Sequence, residues 1–298
     1  MKQGSAIAVA HPTFGSISRD YLQLSKARIV MMVLVTTAAA YVVGVRSISI
    51  LALFNTLFGT AMVAAGTNAL NQYVEREYDA KMRRTRLRPL PDGRITPRNA
   101  LIFSAGIAAA GTAYLAITVN WLTAALGVLT LASYIFVYTP LKRISSLCTV
   151  VGAIPGAIPP VMGWAAARGE VGLGGVILFG ILFFWQLPHF MAISWIYRED
   201  YGRAGFAMTS VRDSNGTATA RQAILWSIAL LGVSVLPTFS GMAGLSYLVV
   251  ATLGGVALVA MSIAFFFDRS NRTAMKLFMT SNVYLVVVMA LLVVSMRA

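Results

Sequence analysis

From residue 27 to its end this chain is a succession of apolar runs, each long enough to cross a bilayer and separated by short polar breaks, and that pattern restricts the fold more than any single motif. The runs fall at 27–45, 50–73, 99–119, 121–138, 147–166, 172–196, 222–243, 245–267 and 276–296. A membrane helix needs roughly 20 mainly apolar residues, so each run predicts one span. They show no two-residue alternation and are too long for the strands of a membrane barrel. With 58% hydrophobic and 11% charged residues and a mean hydropathy of +0.74, a soluble enzyme is excluded. The expected fold is an all-α polytopic membrane protein of about nine transmembrane helices. Residues 1–26 are read as a mobile cytoplasmic tail and 27–298 as one membrane domain.

Orientation follows from the cations, because Lys and Arg beside a span are retained on the cytoplasmic side. With the N-terminus inside, 21 of the 24 cations fall on one face and only Arg46, Arg168 and Arg297 on the other. The net charge of +14 is therefore a one-sided, cytoplasm-facing field. Topology and attraction to anionic lipid explain the scattered cations. They do not explain why nine of the ten carboxylates share that face. The lone Cys148 cannot form an intramolecular disulfide and reads as a packing residue.

Charge is concentrated between Asn71 and Arg98, where 28 residues hold four carboxylates and eight cations. On a helix Asn71, Glu75 and Asp79 each follow the last by about 40°, so they share a face from which Glu77 points away. Carboxylates gathered at one helix end repel unless a cation compensates, and Mg²⁺ binds through a few carboxylates, water and substrate phosphate oxygens. Beyond Asp79, Pro89 and Pro91 stop the helix and Asp92-Gly93 makes a turn. The arginines thus ride on a folded loop, and the planar fork of Arg84, Arg88 and Arg94 suits a diphosphate. Lys142 and Arg143 add two cations on the same side.

A second site runs from Phe183 to Met208, from an apolar span into a charged loop. Its Glu199 and Asp200 echo the acids that end the second span, suggesting two similar halves across one cavity. Asp200 and Glu199 can hold a second metal or help share the first. His189 lies within about 20° of Asp200 on the wheel and about 16 Å deeper along the rise. An imidazole at that depth needs a partner, either a neighbouring helix or a ligand.

The run Asn71-x-x-x-Glu75-Arg76-Glu77-x-Asp79-x-x-Met82-x-Arg84-Thr85-x-x-Arg88-Pro89-Leu90-x-x-Gly93-Arg94 resembles the first signature of the UbiA-type membrane prenyltransferases, in the form carried by their heme-farnesylating branch. Tyr138-Thr139-x-Leu141-Lys142-Arg143, Gly156-Ala157-x-Pro159-Pro160-x-x-Gly163-Trp164, Pro188-His189-Phe190 and Asp200-Tyr201-x-x-Ala204-Gly205-x-x-Met208 are similar to that family's later blocks, in order. Two departures stand out: Glu75 and Glu77 occupy positions where the family usually has Asp, and Phe206-Ala207-Met208 lacks the proline that commonly precedes the methionine.

The resemblance implies nine helices around a central cavity open to lipid and transfer of farnesyl from farnesyl diphosphate to a vinyl group of heme b, with water addition, to give heme O. It implies Mg²⁺ as cofactor, held by Glu75, Asp79 and Asp200, with Asn71 beside them as a catalytic residue. Arg84, Arg88, Arg94, Lys142 and Arg143 would bind the diphosphate, and His189 would ligate heme iron. The expected setting is a bacterial cytoplasmic membrane with the site facing the cytoplasm. Membrane lipid surrounds it, nucleic acid plays no part, and a heme-supplying or oxidase-assembly partner is expected by analogy. A quinone-pathway polyprenyltransferase is the competing enzyme. A secondary transporter would instead place its ionisable groups near the bilayer midplane.

Overall fold

The computed structural model describes residues 14–295, and among them all regular structure is helical. Helix α1 is Phe14–Leu24, α2 Ala27–Gly44, α3 Ile50–Asp79 and α4 Pro97–Thr118. Then come α5, Trp121–Leu141, α6, Cys148–Arg168, and α7, Gly172–Ile196. The short α8, Arg198–Arg203, and α9, Thr209–Arg212, precede α10, Thr217–Phe239, α11, Leu245–Phe267, and α12, Asn271–Ser295. Among the described residues nine helices are long and apolar enough to span a membrane, one for each predicted run.

Two limits move for identifiable reasons. The expected tail over 1–26 gives way to α1 from residue 14 onward, with Leu24 buried against Ala69, Leu90 and Ile95; residues 1–13 lie outside the described region. Helix α10 starts at Thr217 rather than 222 because Asp213 accepts from the backbone N–H and the hydroxyl of Thr219, at 2.7 and 2.8 Å.

Helices α6 and α7 are the inner pair: 67% and 61% of their apolar stretches are buried, against 28–39% for the other seven. The rest follow chain order around them, α12 packing back on α2. In lipid, helices gain by close backbone approach rather than by leaving water. A Cβ at Gly66 of α3 would stand 2.7 Å from the Ser104 carbonyl of α4, and one at Gly163 of α6 would stand 2.1 Å from the Thr37 carbonyl of α2. The Thr37 hydroxyl lies 2.9 Å from the Val33 carbonyl of its own helix and 3.2 Å from the Pro159 carbonyl of α6, a close contact between the two helices at this level.

Two features position the site. Helix α3 has 30 residues and so runs roughly 45 Å, longer than the ~30 Å hydrocarbon core, which carries its last two turns to the interface. In α5, residues Ser133–Tyr138 form a π-helical turn. Four-residue steps on an ordinary helix drift by about 40° each; the wider turn offsets that drift. Thr130, Tyr134, Tyr138 and Lys142 consequently all line one cavity.

Candidate active site

The cavity lies between α2, α3, α5, α6, α7 and α12 and measures about 600 Å³. Its wall is mostly apolar in the interior, with Val63, Met162, Leu182, Trp185 and Phe190, and becomes charged at the end of α3. Ile29 and Met32 border it while 51% and 40% exposed, so the cavity reaches the lipid-facing flank of α2.

Asn71, Glu75 and Asp79 line this cavity from successive turns of α3, each no more than 6% exposed. Glu77 points outward, as the wheel requires. Lys142 donates to Glu75 Oε1 at 2.6 Å, its ammonium 4.4 Å from the Tyr138 ring centre. Burial opposes the charge on Lys142, yet the Glu75 carboxylate beside it holds the ammonium pKa well above the usual lysine range. Arg88 donates to Asp79 Oδ2 at 2.7 Å. Asp79 Oδ1 is buried with no hydrogen-bond partner. A carboxylate oxygen left bare in a buried wall is expensive, and it suits a metal or a donor brought by a ligand.

Lys26 was not among the expected site residues, because in the sequence it is one more cation beside a span. Its Nζ donates to Asn71 Oδ1 at 2.8 Å, and Asn71 Nδ2 donates to the Thr139 hydroxyl at 3.3 Å. Burial, and then the Arg88 charge, lower the Lys26 pKa to about 7. The backbone carries a signal that sequence does not: Lys26 has φ 52°, the left-handed region, and it turns the chain from α1 into α2.

Other expected residues lie elsewhere. Arg84 does line the cavity, its guanidinium 4.5 Å from the Tyr197 ring centre. Arg94 is exposed and outside the cavity wall, paired with Asp20 and Asp92 and donating to the Leu87 carbonyl. The Gly93 turn directs it back toward α1. Arg143 is likewise exposed, donating to the Tyr78 hydroxyl at 2.8 Å. Asp200 is buried but absent from the cavity wall. Its oxygens accept the backbone N–H groups of Arg83 and Arg84 at 3.2 and 3.3 Å, and it pairs with Arg203. Its place is that of an anchor for the arginine loop, which brings the two acidic segments together through backbone. Among the described residues no three His, Cys, Asp or Glu side chains gather as a metal cluster. Glu75 and Asp79 still match the one or two carboxylates that Mg²⁺ takes when phosphate and water complete its shell.

His189 lines the interior wall. Its Nδ1 lies 2.9 Å from the Ser281 hydroxyl, and its ring is flanked by Trp185 and Phe278 at centroid distances of 4.8 and 4.7 Å. Cys148 is buried behind the cavity wall in a cluster with Met82, Phe206 and Met208, which do line it.

The family model described as "UbiA prenyltransferase family" matches residues 32–287. A protoheme IX farnesyltransferase of Solibacter usitatus is 44% identical over 284 residues, covering 92% of this chain and 97% of the relative. That of Koribacter versatilis is 39% identical, covering 96% of each. Among solved structures, a UbiA homologue from Archaeoglobus fulgidus bound to GPP and Mg²⁺ shares the fold, with a TM-score of 0.66 at 16% identity over 94% of this chain and 100% of that one. Matched over most of its length by the family model and by relatives well above 30% identity, this chain belongs to the UbiA prenyltransferase family.

Proposed function

We propose that this protein transfers the farnesyl group of farnesyl diphosphate to a vinyl group of heme b, with addition of water, giving heme O and diphosphate. The observation that carries the reading is one cavity with two chemically distinct regions. Glu75, Asp79, Arg84, Arg88 and Lys142 border its interfacial end, and His189 stands among aromatic rings in its apolar interior. The two relatives named above bear the name of this activity and align over nearly their whole length.

Glu75 and Asp79 would hold Mg²⁺, Asp79 through its unpartnered Oδ1. When bound, Mg²⁺ supplies positive charge to the diphosphate oxygens. Arg88, Arg84, Lys142 and Lys26 surround the place where the diphosphate would lie and stabilise the negative charge that grows as the farnesyl C1–O bond ionises. The allylic cation is left in the apolar interior, where Trp185, Phe190 and Tyr134 limit access of water. The vinyl π electrons then bond to farnesyl C1. The positive charge passes to the vinyl carbon beside the porphyrin, which water captures with loss of a proton. No side-chain nucleophile takes part. His189 would ligate the heme iron and so set the vinyl group at a fixed depth.

The protein would lie in a bacterial cytoplasmic membrane with the diphosphate end of the cavity on the cytoplasmic side, in line with the cation bias. Membranes containing the protein, incubated with heme b, farnesyl diphosphate and Mg²⁺, should yield heme O by chromatography; a phenolic acid in place of heme should yield nothing. Absence of heme O, or full product from the Glu75→Ala/Asp79→Ala double variant, overturns the reading.

A further inference from the structure

Among the described residues His189 is hydrogen-bonded through its side chain to Ser281 on α12, and the other contacts of Ser281 restrict how that bond is polarised. A serine hydroxyl has one proton and two lone pairs. The Ser281 Oγ lies 2.7 Å from the Phe278 carbonyl, one turn back on its own helix, and 2.9 Å from His189 Nδ1. If the proton goes to the shorter bond, Ser281 accepts from His189, which then carries its hydrogen on Nδ1. The two distances match the usual lengths of an O–H···O and an N–H···O bond respectively, which directs the hydroxyl proton to the Phe278 carbonyl and places the imidazole hydrogen on Nδ1.

The position of Ser281 is itself fixed. Trp185, one turn before His189 on α7, donates from its indole Nε1 to the Ser281 backbone carbonyl at 2.6 Å, tying α12 to α7 at this level. Ser281 is fully buried, and the Trp185 and Phe278 rings hold the imidazole between them. The ring therefore has one polar contact, on one side, from a residue that cannot shift without breaking a second helix-to-helix bond.

We propose that Ser281 is a positioning residue that fixes His189 in the Nδ1–H tautomer and presents a bare Nε2 lone pair to the cavity. Which imidazole nitrogen binds a metal is set by the hydrogen bond that the other makes. The consequence for heme rests on the function proposed above, in which His189 meets the iron; the tautomer itself does not.

The chain has only two histidines, His11 and His189, so labelled imidazole signals can be assigned directly. Nitrogen-15 and carbon-13 spectra of the His11→Gln protein without heme should show His189 as Nδ1–H. Ser281→Ala should populate the Nε2–H form, and Ser281→Thr, which keeps the hydroxyl, should restore Nδ1–H. Finding Nε2–H in the His11→Gln protein, or the same tautomer in Ser281→Ala as in its parent, overturns the proposal. Heme titrations separate it from the function reading. His189→Ala should abolish the histidine–iron absorption spectrum, and an unchanged spectrum removes iron ligation while leaving the tautomer result intact. If ligation holds, Ser281→Ala should weaken heme binding by about 10–100-fold. Unaltered affinity there, with His189→Ala still defective, counts against Ser281 alone.

Discussion

Replacing Lys142 by methionine isolates the pair on which the charged wall depends. Glu75 and Lys142 have side chains only 8% and 9% exposed, and their atoms meet at 2.6 Å. Removing one partner of such a pair leaves an uncompensated buried charge, which costs about 3–5 kcal/mol. The lower figure applies here, because Lys26 remains close enough to lower the energy of the Glu75 charge. For chains of somewhat smaller size each kcal/mol moves Tm by roughly 2–4 °C, so Lys142→Met should melt about 6–12 °C below the parent in detergent, followed by tryptophan fluorescence. Glu75→Gln should lose less, since the ammonium left behind keeps its contact with the Tyr138 ring. The double variant Glu75→Gln/Lys142→Met should regain most of the difference, a coupling of about 2–3 kcal/mol, while remaining inactive. A loss of under about 2 °C in Lys142→Met, or single losses that simply add in the double variant, would refute the claim that the pair is a buried, mutually dependent unit.

The arginines should separate by position: Arg88→Ala should lower kcat/KM at least 100-fold by removing a charged group at the diphosphate (about 3 kcal/mol), and Arg94→Ala, outside the cavity, should stay within about twofold, as radiolabelled farnesyl transfer would measure. Lys26, with a pKa near 7, is a cation below that value and neutral above it. The kcat/KM for farnesyl diphosphate should therefore fall by up to about tenfold as pH rises from 6 to 8, and Lys26→Arg, charged throughout, should flatten that fall. Gly163→Val should reduce folded yield sharply on size-exclusion chromatography, because its Cβ would stand 2.1 Å from the Thr37 carbonyl, which is backbone and cannot swing away. Asp200→Asn keeps oxygen for one loop N–H, so it should retain more activity than Asp200→Ala, which frees the Arg84 segment; equal loss in both would favour a charge role over an anchoring one.

Helix number and the acidic face were legible because both depend on local periodicity. Twenty apolar residues fix a span whatever they pack against, and a four-residue spacing puts Asn71, Glu75 and Asp79 together on any helix. What escaped was set by chain reversal. Lys26 reaches Asn71 only because the α1–α2 corner adopts a left-handed residue, and no residue type announces that at a lysine. Arg94 and Arg88 read alike in the sequence. The Gly93 turn separates them, sending one to Asp20 and the other to Asp79. Asp200 looked like the partner of Asp79 because it ends an equivalent span, yet its oxygens meet backbone N–H groups of a loop whose path the residues alone do not specify.

The distribution of charge in the cavity bears on how a carbocation could survive there. Lys26, Arg28, Arg84, Arg88 and Lys142 line it against only Glu75 and Asp79, an excess of three positive charges with Lys26 protonated and of two with it neutral. Such a wall favours a departing diphosphate and disfavours a cation beside it, so the two products of ionisation must be drawn apart. The geometry does this by depth: the cations sit where α3 leaves the bilayer, while Trp185, His189 and Phe190 stand on α7 within the span. From Glu75 to the level of Thr60 on α3 the wall descends fifteen residues, roughly 22 Å of helix, passing from ion pairs to Thr67, Ala64 and Val63. On the function proposed above, ionisation along this axis would leave the anion at the charged interface and the cation on the side of the cavity that has aromatic faces. That polarity along one axis, rather than any single residue, is what the extension of α3 beyond the bilayer and the aromatic segment of α7 create together.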